Sequence, residues 1–588
     1  MQFVPKSISS KVFAIVSLTV LISYLVLSFC HFLLAKVESL DESIPLTGAF
    51  LISRGFSPHI DFWSMYPALN YYLISFVFSW LGPSAISARI LQEFLFTLLV
   101  ICLYFGFKAF VSRGSLFSLN FALIFTILMA NAFTYVWWNA YALAFLGLWL
   151  YIVSLQKKSH ETLFLFISGF LTGLACLAKL NFGSYVVMAV VIGLAIETLQ
   201  AEVSRAEGIR KMLFFLLPVS LCMLAYLIPY GTSAMEVLNQ ILIFPSQGLE
   251  RHRILTLPEG LNRYGSLISA VFPLIWMGLR SVQLTSRFDR CAYVAFSSAA
   301  LSLAVLFVLG TKYQQLLPKF FLITTTILVL LEVVYFRVEK GEFTTLIVYS
   351  LFTNYFLSRM DAGHFTVLVP VAVILIPYLL QQKERDNQIL NKMARYSAGV
   401  LIIALCASPT YWHLKAILSN PREDLSSSWE ILKLRRELGS RSDSDLLMSS
   451  DLSSSPFARL YPEITELQAA RFVAQHTAPE DSIYIGLKDH SRVYMSPTRL
   501  FWITGRNAGV KHYMLEPGFT TEESIQRQMI ADLKNRKVVW MILRSNRAGD
   551  EDFERRNYRG ARILDDYIRE NYKPVQEFGN FTVYNRRS

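Results

Sequence analysis

A chain of 588 residues that is 54% apolar, 14% aromatic and only 17% charged falls well short of the roughly 25% charge of soluble globular proteins. With a mean hydropathy of +0.41, this argues against a water-soluble enzyme, a disordered chain and a disulfide scaffold. The net charge of +12 is scattered over short loops and the tail, with no basic helix or aromatic-interleaved motif. It therefore suits loops that orient membrane helices or meet anionic lipid, and not a nucleic-acid partner.

The apolar excess lies before Trp412, and the remainder reads as ordinary soluble protein. Residues 12–35 form the first apolar run, too long for a signal-peptide core and without a small-residue cleavage site, so a retained helix is expected. Lys6 and Lys11 before it favour a cytoplasmic N-terminus. The stretch Lys36 to Pro67 is polar enough to lie outside the bilayer. Thirteen further apolar runs follow, centred between residues 75 and 404, each near the roughly 20 residues that span hydrocarbon as a helix. Basic connectors, among them Lys157-Lys158, Arg205 to Lys211 and Lys383 to Arg395, mark the cytoplasmic side and put the tail outside. Counts from the two ends disagree by one helix, so one segment between Ala68 and Trp149 must be short, re-entrant or split. The expected fold class is a polytopic α-helical membrane domain over residues 1–412, with about 11–15 helices, followed by an extracytoplasmic α/β domain over 413–588.

In that tail, Ser482 to Gly486 and Val538 to Leu543 read as short apolar strands. Thr521 to Asn535 and Ala561 to Tyr572 read as helices, and Val575 to Tyr584 as a hairpin turning at Gly579-Asn580. All six cysteines (Cys30, Cys102, Cys176, Cys222, Cys291, Cys406) sit in apolar runs, without metal spacing, and read as small buried hydrophobes.

The first outer loop carries Asp41-Glu42, Arg54-Gly55, Pro58-x-x-Asp61-Phe62 and Tyr66-Pro67-x-x-x-Tyr71-Tyr72, then Leu81-Gly82, Ser84 and Ala88-Arg89. A charge at the membrane boundary needs a reason. This succession resembles the opening of GT-C glycosyltransferases, in the branch of protein O-mannosyltransferases and bacterial aminoarabinose transferases. It departs from that pattern at His59, Ala68 and Leu81, which stand for Tyr, Pro and Phe. The resemblance implies an integral membrane enzyme that moves a sugar from a polyprenyl-phosphate donor to a lipid, glycan or protein acceptor on the extracytoplasmic side of a bacterial inner or plasma membrane. It assigns Asp41 as general base, with Glu42 beside it and Asp61 orienting the sugar or the base. The chemistry is consistent, because an acceptor hydroxyl becomes a nucleophile when a positioned carboxylate takes its proton. A phosphate leaving group covered by cations needs no general acid, so a single inverting displacement follows. Arg54 and Tyr66 in the same loop are candidate substrate-binding residues.

Two further constellations carry cations. Gly169-x-x-x-Gly173-Leu174-Ala175-x-Leu177-x-Lys179 permits close helix contact. Lys179 at its end is either a snorkelling lysine or, by resemblance, a neighbour of the donor phosphate. Arg359-Met360-Asp361-Ala362-Gly363-His364 is either a self-satisfied ion pair or, by resemblance, a phosphate clamp in which Arg359 forks onto oxygens, Asp361 holds it and His364 adds a donor. Lys312 and Arg251-His252-Arg253 are weaker headgroup candidates. No Walker loop, zinc motif or Ser-His-Asp elbow is present. No cofactor is required; a divalent metal ion on the acidic loop is compatible, though the spacing does not demand one. The alternative function is a lipid or oligosaccharide transporter or flippase, which predicts internal repeats and charges in mid-helix. A scaffold and an O-antigen ligase or polymerase are the other readings.

Overall fold

The computed structural model describes residues 6–37, 42–110, 143–144, 146–148, 150, 160–199, 203–244, 421–437, 442–453, 455–461, 463–491, 496–515, 519–545 and 560–587. The expected boundary at 412/413, the connectors Lys383 to Arg395, and Asp41, Lys312, Arg359, Asp361 and His364 lie outside these residues.

Helix α1 (Lys6–Leu34) is mostly apolar past Lys11, with Ile15, Val16, Ile22 and Val26 turned outward, as suits a lipid-facing span. Helices α2 (Ser43–Ser53) and α3 (Leu69–Leu81) are short, and α4 (Ala85–Phe110) follows α3 through a bend of 116°. Helices α5 (Glu161–Ala178), α6 (Leu180–Leu199) and α7 (Arg205–Leu227) pack against one another. Beyond α7 the chain continues through a 3-10 turn (Ile228–Ser233), the short α8 (Ala234–Leu238) and a π-helical turn (Asn239–Ile243). Among the described residues, three stretches are long and apolar enough to cross a membrane, Ile15–Leu34, Glu161–Ala178 and Arg205–Ile243, and the bent pair Leu69–Leu81 and Ala85–Leu98 makes a fourth if taken as one span.

The glycines at 169 and 173 are used for packing. A Cβ at Gly169 would overlap the Phe215 carbonyl oxygen, and one at Gly173 would lie 3.0 Å from Cys222 Cβ, so only glycine lets α5 and α7 approach this closely. At the other end of α5, Lys211 pairs with Glu161 (2.6 Å) and Glu197 (2.9 Å), tying α5, α6 and α7 together. Buried charges of this kind persist where they are paired.

The tail begins with α9 (Pro421–Glu437), α10 (Asp443–Ser449), α11 (Pro456–Arg459) and α12 (Ile464–Gln475). Then follow β1 (Ser482–Leu487), α13 (Leu500–Thr504), β2 (Asn507–Ala508), α14 (Glu523–Asn535), β3 (Trp540–Arg544), α15 (Ile563–Asn571), β4 (Tyr572–Phe578) and β5 (Phe581–Arg586). The five strands form one mixed sheet in the order β2-β1-β3-β5-β4, parallel at β2-β1-β3 and antiparallel at β3-β5-β4. Central β1 is buried on both faces, which explains its unbroken apolar run. Edge strand β4 carries Lys573, Pro574 and Glu577 and an irregularity between Pro574 and Gln576, devices that blunt a free edge. Helices α14 and α15 cover one face, with Met529, Leu533, Leu564 and Ile568 packed on Tyr484, Met541 and Leu543.

The opposite face does not end in solvent. Its core (Leu467, Ile483, Trp502, Val583) is continuous with Leu46, Phe50, Tyr71 and Ile74 of α2 and α3. Both short helices pack against the tail. On α2, Thr47 Oγ1 donates to Thr498 O (3.0 Å). Past the end of α3, Asp443 N donates to Pro83 O (3.0 Å), and Asp443 Oδ2 accepts from Ala85 N (3.0 Å), capping the first turn of α4 from the tail. Helix α3 has thirteen residues and meets α4 at 116°.

Candidate functional site

The site is built where the tail-facing ends of α1, α2, α4 and α5 meet the loop of residues 54–68. Its foundation is one buried ion pair. Arg89, in the second turn of α4, donates from Nε to Glu42 Oε1 (2.7 Å) and from Nη2 to Glu42 Oε2 (2.9 Å). Both side chains are 1% exposed. Nη1 of the same guanidinium donates to the carbonyls of Leu33 (2.9 Å) and Ala35 (2.7 Å) at the end of α1, and Phe32 lies under it at 5.1 Å. A forked guanidinium satisfies a carboxylate and two helix-end carbonyls at once. Glu42, at the start of α2, is thereby tied to α1 and α4. With each of its oxygens engaged by Arg89, Glu42 is placed as an anchor immediately after Asp41 in the chain.

The loop itself is closed by Asp61. Asp61 Oδ2 accepts from Ser57 N (2.7 Å), and Asp61 N donates to Ser57 O (2.9 Å). The tail holds the loop from outside, since Arg536 Nη2 donates to Asp61 O (2.9 Å) and Trp63 N to Lys511 O (2.9 Å). Trp63 packs against Phe244, Phe519 and His512. One Asp61 carboxylate oxygen therefore shapes the loop.

Between Ser57 and Asp61 the chain turns through His59, at φ 68°, a conformation that residues other than glycine adopt at a cost. The fully buried imidazole repays this with two hydrogen bonds. Its Nδ1 lies 3.0 Å from Gln240 Oε1, and its Nε2 lies 2.7 Å from Tyr226 Oη. The surrounding network assigns the tautomer. Gln240 Nε2 donates to His59 O (3.1 Å) and Glu236 Oε1 (3.3 Å), and Ser64 N donates to Gln240 Oε1 (3.4 Å). The amide oxygen therefore faces His59, which must donate from Nδ1 and accept at Nε2 from Tyr226. Tyr226 in turn accepts from Ala68 N (2.9 Å). Burial is the main cause that pushes His59 down from 6.5 to about 4, so the ring is neutral near pH 7. Glu236 also meets Lys511 of the tail at 2.8 Å, and the network thus joins loop, α7–α8 extension and tail.

Lys179 occupies the break between α5 and α6. Its backbone is extended (φ −157°, ψ 105°) and its N–H closes the last turn onto Ala175 O (2.8 Å). The side chain is 9% exposed. Its ammonium lies 5.6 Å from the Tyr66 ring and 4.9 Å from the Phe182 ring, within cation–π range. Tyr66, part of the loop, is held by Ser64, whose hydroxyl donates to Tyr66 O (2.8 Å). The structure thus brings Lys179 and Tyr66 together on the tail-facing side. Arg54 sits elsewhere, past the far end of α2, where Nε donates to Asn507 Oδ1 (3.3 Å) and Nη2 to Pro479 O.

Sequence reading did not single out Arg89 as the partner of Glu42, nor His59, Tyr226, Glu236 and Gln240 as a network. Arg89 was visible within Ala88-Arg89. Tyr226 and Gln240 fall in one long apolar stretch, where nothing local distinguishes them. Among the described residues no three His, Cys, Asp or Glu side chains group as a metal site. The arrangement offers a cation over aromatic rings, at a loop that bears the Asp61 carboxylate.

No protein-family profile matches the chain, and no curated protein does. Among solved structures, the crystal structure of ArnT from Cupriavidus metallidurans bound to undecaprenyl phosphate is similar, with 11% identity and a TM-score of 0.46, covering 99% of this chain and 98% of that one.

Proposed function

We propose that this protein is an integral membrane glycosyltransferase of GT-C type. It would transfer a sugar from a polyprenyl-phosphate donor to an acceptor hydroxyl on the side of the tail. The observation that supports this reading best is the meeting of motif-bearing segments far apart in sequence. Glu42 is locked to Arg89 and Lys179 lies over Tyr66, and we take the two pairs as parts of one site. In the proposed reaction Asp41 accepts the hydroxyl proton as the oxygen attacks the anomeric carbon. The carbon–phosphate-oxygen bond breaks with inversion, and the lipid phosphate departs as an anion. Lys179, with Arg359 and His364, stabilises that anion, and a fixed cation in a poorly hydrated site does so strongly.

Native mass spectrometry of the purified protein with added undecaprenyl phosphate tests the donor half of the proposal. Wild type is expected to retain the lipid in preference to the neutral polyprenol, and Lys179→Met to lose that preference. Asp41→Asn should keep lipid binding while losing transfer by about 10²–10⁴-fold, as for a missing general base. Equal retention of undecaprenyl phosphate and polyprenol by the wild type would overturn the donor assignment. Near-normal transfer by Asp41→Asn would overturn the base.

A further inference from the structure

A second recess opens at the other end of α2, at the seam where α2 and α3 meet α10 and the turn after α13. Its volume is about 640 Å³, in the range of small-ligand sites. The eleven residues of α2 put about 16 Å of helix between it and the Glu42–Arg89 pair. Hydroxyls of Ser53, Ser75, Ser79, Ser444 and Thr504 line its wall, and Phe78 and Met448 supply apolar surface.

Two arginines line this recess, and their hydrogen bonds run to neutral acceptors. Arg54 is oriented by Asn507 Oδ1 and Pro479 O, which leaves its Nη1 uncommitted. Arg506 is 8% exposed and donates to Thr477 Oγ1 (2.7 Å), Thr504 O (2.9 Å), Ala474 O (2.7 Å) and Thr477 O (2.6 Å). Burial lowers the Arg506 pKa, Asp481 raises it by more than the Arg54 charge lowers it, and Glu480 raises it again. Guanidinium groups match phosphate and carboxylate oxygens in geometry as well as charge. The serine wall and the Asp445 carboxylate at the edge offer acceptors to ligand hydroxyls, and Phe78 and Met448 offer a surface to a ring face.

We propose that this recess binds an anionic sugar, a hydroxyl-bearing ring carrying phosphate or carboxylate, with Arg54 and Arg506 on the anionic group. Assigning that ring to a remote part of the acceptor rests on the glycosyltransferase reading; the binding itself does not.

Full-length protein in phosphatidylcholine nanodiscs is titrated calorimetrically with glucose 6-phosphate and with glucose. Glucose 6-phosphate is expected to bind at least tenfold more tightly. Met448→Glu places a like charge beside the anion at a half-exposed position, and should weaken it about tenfold without changing the melting temperature. Ser79→Trp, also at an exposed position, should fill the recess and abolish binding. Equal affinity for glucose and glucose 6-phosphate overturns the proposal. So does glucose 6-phosphate binding that ignores both variants. Lys179→Met should leave this binding intact, and loss there would place the probe in the donor site and refute a separate recess. Repeating the titration in phosphatidylglycerol nanodiscs separates the sources. Unchanged affinity there supports a soluble or acceptor-borne sugar, and competition by that ringless headgroup overturns the sugar assignment.

Discussion

Arg89→Met is the sharpest test of the Glu42 anchor. The substitution removes both hydrogen bonds to Glu42 (2.7 and 2.9 Å) and both to the α1 carbonyls (2.9 and 2.7 Å), and strands a carboxylate that is 1% exposed. Removing one partner of a buried ion pair costs about 3–5 kcal/mol. Replacing both partners with apolar side chains of similar volume is close to neutral. Thermal melting in detergent, followed by tryptophan fluorescence, should therefore drop for Arg89→Met and for Glu42→Met. The double variant should recover most of the loss. Transfer should stay low in all three, because the start of α2 is no longer tied to α1 and α4. Wild-type melting of Arg89→Met would refute the anchor. Glu42→Gln that melts normally but transfers nothing would instead give Glu42 a chemical role.

Stability should also fall with acid. His59 and His512 both titrate near 4 in the fold, chiefly through burial, against 6.5 unfolded. The unfolded chain binds the extra protons, so this stabilisation is complete above pH 6.5 and is lost as pH falls toward 4, at most about 3 kcal/mol for each histidine. Melting measured between pH 7.5 and 4 should show it, His59→Gln should flatten the slope, and a flat wild-type profile would contradict the burial. Gly48→Ala would place a Cβ 2.8 Å from the Tyr71 ring and should destabilise by about 1–3 kcal/mol; unchanged melting would rule out the close α2–α3 contact. Asp443→Ala strips acceptors from Ala85 N, Tyr461 Oη (2.8 Å) and Trp502 Nε1 (3.3 Å), leaving buried donors at about 1–3 kcal/mol each. Asp443→Asn, which keeps one acceptor oxygen, should lose less in the same assay, and equal losses would argue against the cap.

Elements whose character is local were legible in the sequence. The strand expected from Ser482 runs to Leu487, and the helix expected to end at Asn535 does so, because apolar run length and polar borders are contiguous signals. Lys179 at a helix end was equally local. Partner choice was not. Nothing near Glu42 indicates that its partner is Arg89, 47 residues on, and an acidic pair at a membrane boundary reads the same whether its members anchor or react. Arg54 shows how far sequence neighbours can be carried apart. It follows the acidic pair closely in sequence, yet α2 carries it to the opposite end of the layer. The His59 network needed a π-helical turn that presents Gln240, and residue order within an apolar span does not announce such a turn.

The tail's place in the fold also bears on what it does. A tail tethered only by its linker would have its own closed core, and the layer beneath would be polar where the two meet. Here Leu46, Phe50, Tyr71 and Ile74 share one core with Leu467, Ile483 and Trp502. The polar contacts fall on the elements that carry the candidate site: Thr498 on α2, Lys511 on Trp63 and Glu236, Arg536 on the Asp61 carbonyl, and Asp443 on the start of α4. A loop with a left-handed His59 and little regular structure of its own cannot hold the Asp61 carboxylate in position through local propensity. It is fixed because membrane helices grip it from one side and the α/β sheet from the other. The sheet is therefore part of the machinery that positions the site, and its binding recess beside Arg54 and Arg506 is built from that same seam.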